Sequence, residues 1–150
     1  MSRLIQTSIL FVLLTFSAHA EYAEHAKISV QNAWIRPTVP LQKVTGAFMT
    51  ITSTTAARLV GMTSPVADHV EIHEMLVEND IMKMRAVPSL PLTADKSLEL
   101  KPGGYHVMLF GLHQQVKAGD SVPLTLIIED SNKKRTSVTV KAAAKSATAY

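Results

Sequence analysis

Turn residues punctuate this sequence at short, near-even intervals, and that punctuation constrains the fold more than any other feature. Breaks fall at Pro37 and Pro40, Pro65, Glu78-Asn79-Asp80, Pro88 and Pro91, Pro102-Gly103-Gly104, Gly119-Asp120 and Asp130-Ser131-Asn132. The runs between them are rich in Val, Ile, Leu and Thr, residues that suit a pleated, half-buried surface. Strands are therefore predicted at 28–35, 45–53, 57–63, 69–77, 81–87, 97–100, 105–111, 122–129 and 135–142. No long stretch carries a 3.6-residue apolar period, and no internal repeat or Pro/Gly-rich linker divides the chain. Many short strands at this spacing predict an all-β, antiparallel sandwich or barrel.

The 150 residues suit one such domain behind a leader. Arg3, the mostly apolar run from Leu4 to Phe16, and Ala18-His19-Ala20 follow the order of a secretory signal, with cleavage expected near Ala20. The apolar run is short for a membrane span, which takes about 20 apolar residues. The expected organisation is a signal peptide at 1–20, a domain at 21–142 and a short, alanine-rich tail at 143–150. The chain has no cysteine. Its core must be held by apolar burial alone, and thiolate metal sites, thiol redox chemistry and cysteine nucleophiles are excluded. A net charge of +3 is too mild, and too little interleaved with aromatics, to suggest nucleic-acid binding. Lys133-Lys134-Arg135 reads as a solvated turn.

Alternation within the strands picks out a second face. Successive side chains of a strand point to opposite sides. Along 69–77, Val70, Ile72 and Leu76 share one parity, and His69, Glu71, His73 and Met75 the other. Along 105–111, Tyr105, Val107 and Leu109 oppose His106, Met108 and Phe110. Met82, Met84 and Ala86 share a face of 81–87. His106 and Met108 leave one face about 6.6–6.8 Å apart, close enough for an imidazole and a thioether to converge. A hairpin turn at Glu78-Asn79-Asp80 would bring Met84 beside His73. Thioether is a soft donor and imidazole an intermediate one, so His73, Met84, His106 and Met108 together favour copper, Cu(I) in particular. Zinc more often takes Cys or carboxylate with His, and calcium and magnesium take oxygen.

Taken singly, each of these residues has a plainer role, because lone methionines usually fill cores and lone histidines usually serve structure or surface. Met75 is an auxiliary ligand or an apolar wall. Met82 shares Met84's face, so a register shift would exchange them. Met49 and Met62 read as core, Trp34 as a core anchor, His69 and His113 as surface or turn residues. His25, fifth in the mature chain, lacks the third-position spacing of an amino-terminal copper site.

The four donors follow a spacing of ten, twenty-one and one intervening residues. With Ala33-Trp34-Ile35-Arg36, Thr45-Gly46-Ala47-Phe48-Met49, Glu71-Ile72-His73-Glu74-Met75 and Gly103-Gly104-Tyr105-His106-Val107-Met108-Leu109, this resembles the PCuAC family of periplasmic copper chaperones over residues 28–140. The resemblance implies a single cupredoxin-like Greek-key β-sandwich or barrel binding Cu(I) near its surface through His73, Met84, His106 and Met108. It also implies delivery of copper to a partner such as cytochrome c oxidase subunit II or a related assembly factor. Many members carry a His- and Met-rich C-terminal extension; residues 141–150 contain neither, so no second site is expected there.

Other functions fit less well. An electron-transfer cupredoxin needs a cysteine thiolate. A copper enzyme needs an open metal position and substrate-positioning groups, and none stands out. A metal-free immunoglobulin-like adhesion module leaves the four-residue spacing unexplained, and copper storage or resistance remains a relative of the leading reading. The expectation is an exported, periplasmic, monomeric copper carrier that is not an enzyme, with no membrane span in the mature chain and no nucleic-acid partner.

Overall fold

β-branched and aliphatic runs between turn residues do form strands. A computed structural model describes residues 27–145. The expected leader at 1–20, His25 and positions 146–150 of the tail lie outside the described residues. There are ten strands: β1 Ile28–Ile35, β2 Val44–Ser53, β3 Ala57–Thr63, β4 Ala67–Glu78, β5 Ile81–Ala86, β6 Leu90–Leu92, β7 Ser97–Leu100, β8 His106–Leu112, β9 Ser121–Asp130 and β10 Arg135–Ala144. No helix forms among the described residues.

The strands follow the path β5-β4-β8-β2-β1-β10-β9-β3-β6. Strand β2 is long enough to serve two partners on one side. Its first half pairs with β8, Val44 to Ala47 against Phe110 to Val107, and its second half pairs with β7, Met49 to Thr52 against Leu100 to Ser97. The ladders are antiparallel except β1 with β10, where Trp34 meets Ala143 and Ile35 meets Ala144. Strand β3, near one end of the path, lies against β4, near the other, so the sheet curls around a single core. This is the cupredoxin-like β architecture. Ile35, Ile51, Leu59, Leu109, Leu124, Leu126 and Ile128 fill the core and are all but closed to solvent.

Nine strands fall within two residues of their expected positions. The tenth, β6, is not among the expected strands, because Pro88 and Pro91 read as breaks. Pro91 sits inside β6, which pairs only with β3 and so is an edge. A proline lacks a ladder donor, and an edge strand can spare one. Leu90 and Leu92 on either side point into the core while Pro91 is exposed. Strand β10 runs through Ala144, beyond the expected end at 142, because Ala143 and Ala144 continue the ladder on β1.

The β4–β5 hairpin sets which residues of β5 stand beside β4. Glu78 pairs with Ile81, leaving Asn79 and Asp80 as the turn, with φ of 52° and 60°. Two left-handed residues in a two-residue loop make a type I′ turn, whose twist matches the flanking strands. Asn and Asp tolerate that conformation better than other non-glycine residues. Asn79→Val should cost about 1–2 kcal/mol and raise amide exchange along β5, measured by hydrogen-exchange mass spectrometry, while β9 and β10 keep their protection.

Candidate metal centre

The register of three strands builds the site. Between β4 and β8, His73 lies opposite His106 and Glu71 opposite Met108. Between β4 and β5, Met75 lies opposite Met84 and Val77 opposite Met82. On β2, Gly46 lies opposite Met108. Residues paired across a ladder share a face, so His73, Met75, Met82, Met84, His106 and Met108 all stand on one side of the sheet. The other side carries Ile72, Val107 and Leu109 into the core, as the alternation predicts.

The histidine face is not simply solvated. His73 and His106 are only 7% and 6% exposed. A small aromatic layer covers them: Trp34 stacks on Phe48 at 4.3 Å, Phe48 lies 6.4 Å from the His106 ring, and Phe110 lies 5.9 Å from His73. The two imidazoles meet edge to face with centroids 5.9 Å apart. Trp34, expected as a core anchor, is buried and starts this stack. A register shift in β1 between Gln31 and Trp34, at Asn32 with φ 53°, re-aims it. Gly46 leaves room for the Phe48 ring, which a Cβ there would meet at 3.3 Å.

Hydrogen bonds fix which ring nitrogens are free. His106 Nδ1 lies 2.9 Å from the Gly104 carbonyl oxygen. A carbonyl only accepts, so Nδ1 carries the proton and, in the neutral ring, Nε2 keeps its lone pair. That Nε2 points at the Met84 sulfur, 3.2 Å away. Neither atom has a proton to offer the other, so two lone pairs face across the gap. His73 is the mirror case. Its Nε2 lies 2.7 Å from a Glu71 carboxylate oxygen, and its buried Nδ1 has no hydrogen-bond partner. Buried polar atoms are nearly always paired. An unpaired nitrogen and a facing nitrogen–sulfur pair are what a bound cation would resolve.

The surrounding space fits the donors. A cleft of about 440 Å³ is lined by Phe48, Met75, Met82, Met84, His106 and Met108, with Arg36, Gln42 and Gly103 at its margins. His73 is not part of this lining; its ring meets that of His106, which is. Arg36, held 5.3 Å over the Phe48 ring, is the one charged residue lining the cleft among the described residues. Among those residues no group of three or more His, Asp or Glu is placed to hold a metal ion, so the available donor set is imidazole with thioether, a soft set suited to copper.

The sequence-predicted residues therefore come together, and the register separates Met84 from Met82. Met84 touches His106, whereas Met82 stands one pair nearer the hairpin tip, 59% exposed. Met75 lies opposite Met84 and lines the cleft. Met49 and Met62 are in the core. His69 stacks on Phe110 at 4.9 Å, and His113 pairs with Asp68 at 3.0 Å. Sequence reasoning did not single out Phe48, Arg36 or Glu71 for the site. Glu71 shares the parity of His73, which was the available signal.

The reverse side of the same strands is braced. Glu74 accepts from the Arg85 guanidinium at 3.0 and 3.2 Å, linking β4 to β5. A hydrogen bond to Glu74, and then burial, hold the Tyr105 phenol above its ordinary pKa, linking β4 to the start of β8. The Gly104 carbonyl also accepts from the Met75 amide at 3.3 Å.

Fold and site together define a cupredoxin-like β domain with imidazole and thioether donors gathered at one end of its sheet. Comparison with known proteins places it more closely: residues 28–140 match the family described as "Putative lipoprotein LpqE-like", and the chain belongs to that family. A relative from Leifsonia xyli, "Putative lipoprotein Lxx21020", is 31% identical over 87% of this chain and 79% of its own. The solution structure of CuI-DR1885 from Deinococcus radiodurans is 30% identical, covers 85% of both chains and superimposes with a TM-score of 0.61. The copper-bound PCuAC domain from PmoF2 has a TM-score of 0.64 over 79% of this chain and 92% of its own, at 22% identity, and so shares the fold.

Removing the brace should loosen β5 without unfolding the domain. Glu74→Ala should cost about 1 kcal/mol or less, as for an exposed ion pair. In ¹H–¹⁵N spectra the shifts should concentrate at residues 81–86 and 105–106.

Proposed function

We propose that this protein is a periplasmic metallochaperone that carries one Cu(I) on His73, Met84, His106 and Met108 and passes it to a partner protein. The observation that carries the reading is the pair of unsatisfied contacts: His106 Nε2 against the Met84 sulfur at 3.2 Å, and the buried, unpartnered Nδ1 of His73. The relative whose solved structure is CuI-DR1885 supports the choice of ion. The expected secretory leader and the lipoprotein relatives support export.

The donors divide by accessibility. Both imidazoles are buried and oriented, while Met84 is 49% exposed on the outermost strand. Copper then enters and leaves by the thioether side. An incoming donor replaces a sulfur first, with the nitrogens holding the ion until the exchange is complete. This suits carriage and transfer without turnover, so the protein is not an enzyme.

Exposed apolar side chains flank the exit. Val77, Ile81, Met82 and Met84 lie on the β4–β5 hairpin, and Val39 and Leu41 on the loop between β1 and β2, whose ends at Pro37 and Gln42 line the cleft. Leu41 is 93% exposed and has a φ of 69°. Val39-Pro40-Leu41-Gln42 closes with the Gln42 amide donating to the Val39 carbonyl at 3.2 Å, a type II turn with leucine where glycine is usual. A strained, exposed leucine is costly twice over, and contact with a partner accounts for it. We assign the partner as a copper acceptor such as cytochrome c oxidase subunit II or a related assembly factor, met by a monomeric chaperone. Among the described residues no helix is long and apolar enough to cross a membrane.

Anaerobic Cu(I) titration should give one ion per chain, and X-ray absorption two sulfur and two nitrogen ligands. Replacing Met84 and Met108 together with leucine should weaken binding by more than about 100-fold, beyond the 10–100-fold typical of lost supporting contacts. Met82→Leu should stay near wild type. Tight binding by the double variant would remove these ligands from consideration. Leu41→Gly should leave Cu(I) affinity unchanged and should not reduce stability. It should slow transfer to the copper-free soluble domain of oxidase subunit II by about fivefold or more, with transfer to a small chelator unaffected.

A further inference from the structure

We infer that Glu71 is a positioning residue for the metal: it holds His73 with Nε2 protonated and so presents Nδ1 to copper, whereas the Gly104 carbonyl holds His106 the opposite way and presents Nε2. The inference rests on the proposed Cu(I) function and adds to it a residue that is not a ligand.

A neutral imidazole has one protonated and one free nitrogen, and the hydrogen bond made by one decides which nitrogen can bind a metal. Ionised Glu71 only accepts. Its oxygen is 2.7 Å from His73 Nε2, so the proton must sit on Nε2. The other carboxylate oxygen lies 3.7 Å from His69 Nε2, and His69 in turn stacks on Phe110. Glu71 is thereby held between two histidines on one face of β4. Its position follows from register, because residues 69, 71 and 73 alternate onto the site face while Glu71 stands opposite Met108. His73 Nδ1, the atom left free, is buried and unpartnered. Rotating the ring to offer Nε2 instead would break the Glu71 bond.

The arrangement also shapes the ion's surroundings. A carboxylate hydrogen-bonded to the far nitrogen makes an imidazole a stronger donor. His73 therefore binds more strongly than His106, whose far nitrogen meets only a neutral carbonyl. The site then has one stronger nitrogen anchor at the back and the more labile thioethers in front.

Long-range ¹H–¹⁵N spectra of the imidazole rings test this directly, since Cu(I) is diamagnetic. At pH 8, where an ordinary imidazole is neutral, apo wild type should show His73 protonated at Nε2 and His106 at Nδ1. Anaerobic Cu(I) loading should shift His73 Nδ1 and His106 Nε2. Glu71→Leu should give His73 as a mixture of tautomers and weaken Cu(I) about 10–100-fold, whereas Glu71→Gln, whose amide oxygen still accepts, should keep the wild-type tautomer and most of the affinity. Finding His73 protonated at Nδ1 in apo wild type, or bound to copper through Nε2, overturns the inference, as does an unchanged tautomer in Glu71→Leu. Failure of wild type to bind Cu(I) would instead overturn the copper reading. The apo tautomers would still report on Glu71, and that measurement needs no variant to fold.

Discussion

The pairing of β4 with β8 is the contact on which the rest of the site depends. It sets His73 directly opposite His106 and Glu71 opposite Met108. Because side chains alternate with a period of two, a slip of β4 by one residue would send His73 into the core and Ile72 onto the site face. The apolar face forbids that slip: Ile72, Val107 and Leu109 are closed to solvent on the other side of the same strands. Burial of ordinary aliphatic residues therefore fixes, through register, the position of the unusual polar ones. The hairpin carries the same order outward to β5, where the Asn79-Asp80 turn determines that Met84 rather than Met82 reaches His106.

Much of this was legible in the sequence because it depends on local pattern. Turn residues marked the strand ends, and parity placed His73 with Met75 and His106 with Met108 before any pairing was known. Strand β6 was hidden because proline usually argues against a strand, and only its edge position makes Pro91 harmless. The aromatic cover was hidden for a different reason. Trp34 and Phe48 come from separate strands, and a backbone irregularity near Asn32 turns the indole toward the site. Hydrogen bonding was the least visible layer. The roles of the Gly104 carbonyl and the Glu71 carboxylate depend on distances of 2.9 and 2.7 Å, which no spacing rule supplies.

On the proposed reading, a domain without cysteine prepares a soft metal position from imidazole and thioether. The nitrogens are fixed by hydrogen bonds and covered by rings, so little reorganisation is needed on binding. The sulfurs need no such fixing, because a thioether is neutral, unbranched and adaptable. Both histidines and Met108 lie on the inner strands β4 and β8, whereas Met84 lies on the outer strand β5, so Met84 is the adaptable donor nearest solvent.

Placing Met84 on β5 has a cost elsewhere. All six residues of β5 are exposed, and the strand ends the sheet path with only β4 beside it. Its outer row of amides and carbonyls is a template on which another chain could add a strand. Lys83 and Arg85 alternate with the two methionines along this edge, and charged side chains there discourage such addition. The opposite edge is blunted differently, by a three-residue strand with Pro91 at its centre. The basic residues beside the methionines therefore serve solubility: they let the protein keep an open sheet edge next to its exposed sulfurs without polymerising through it.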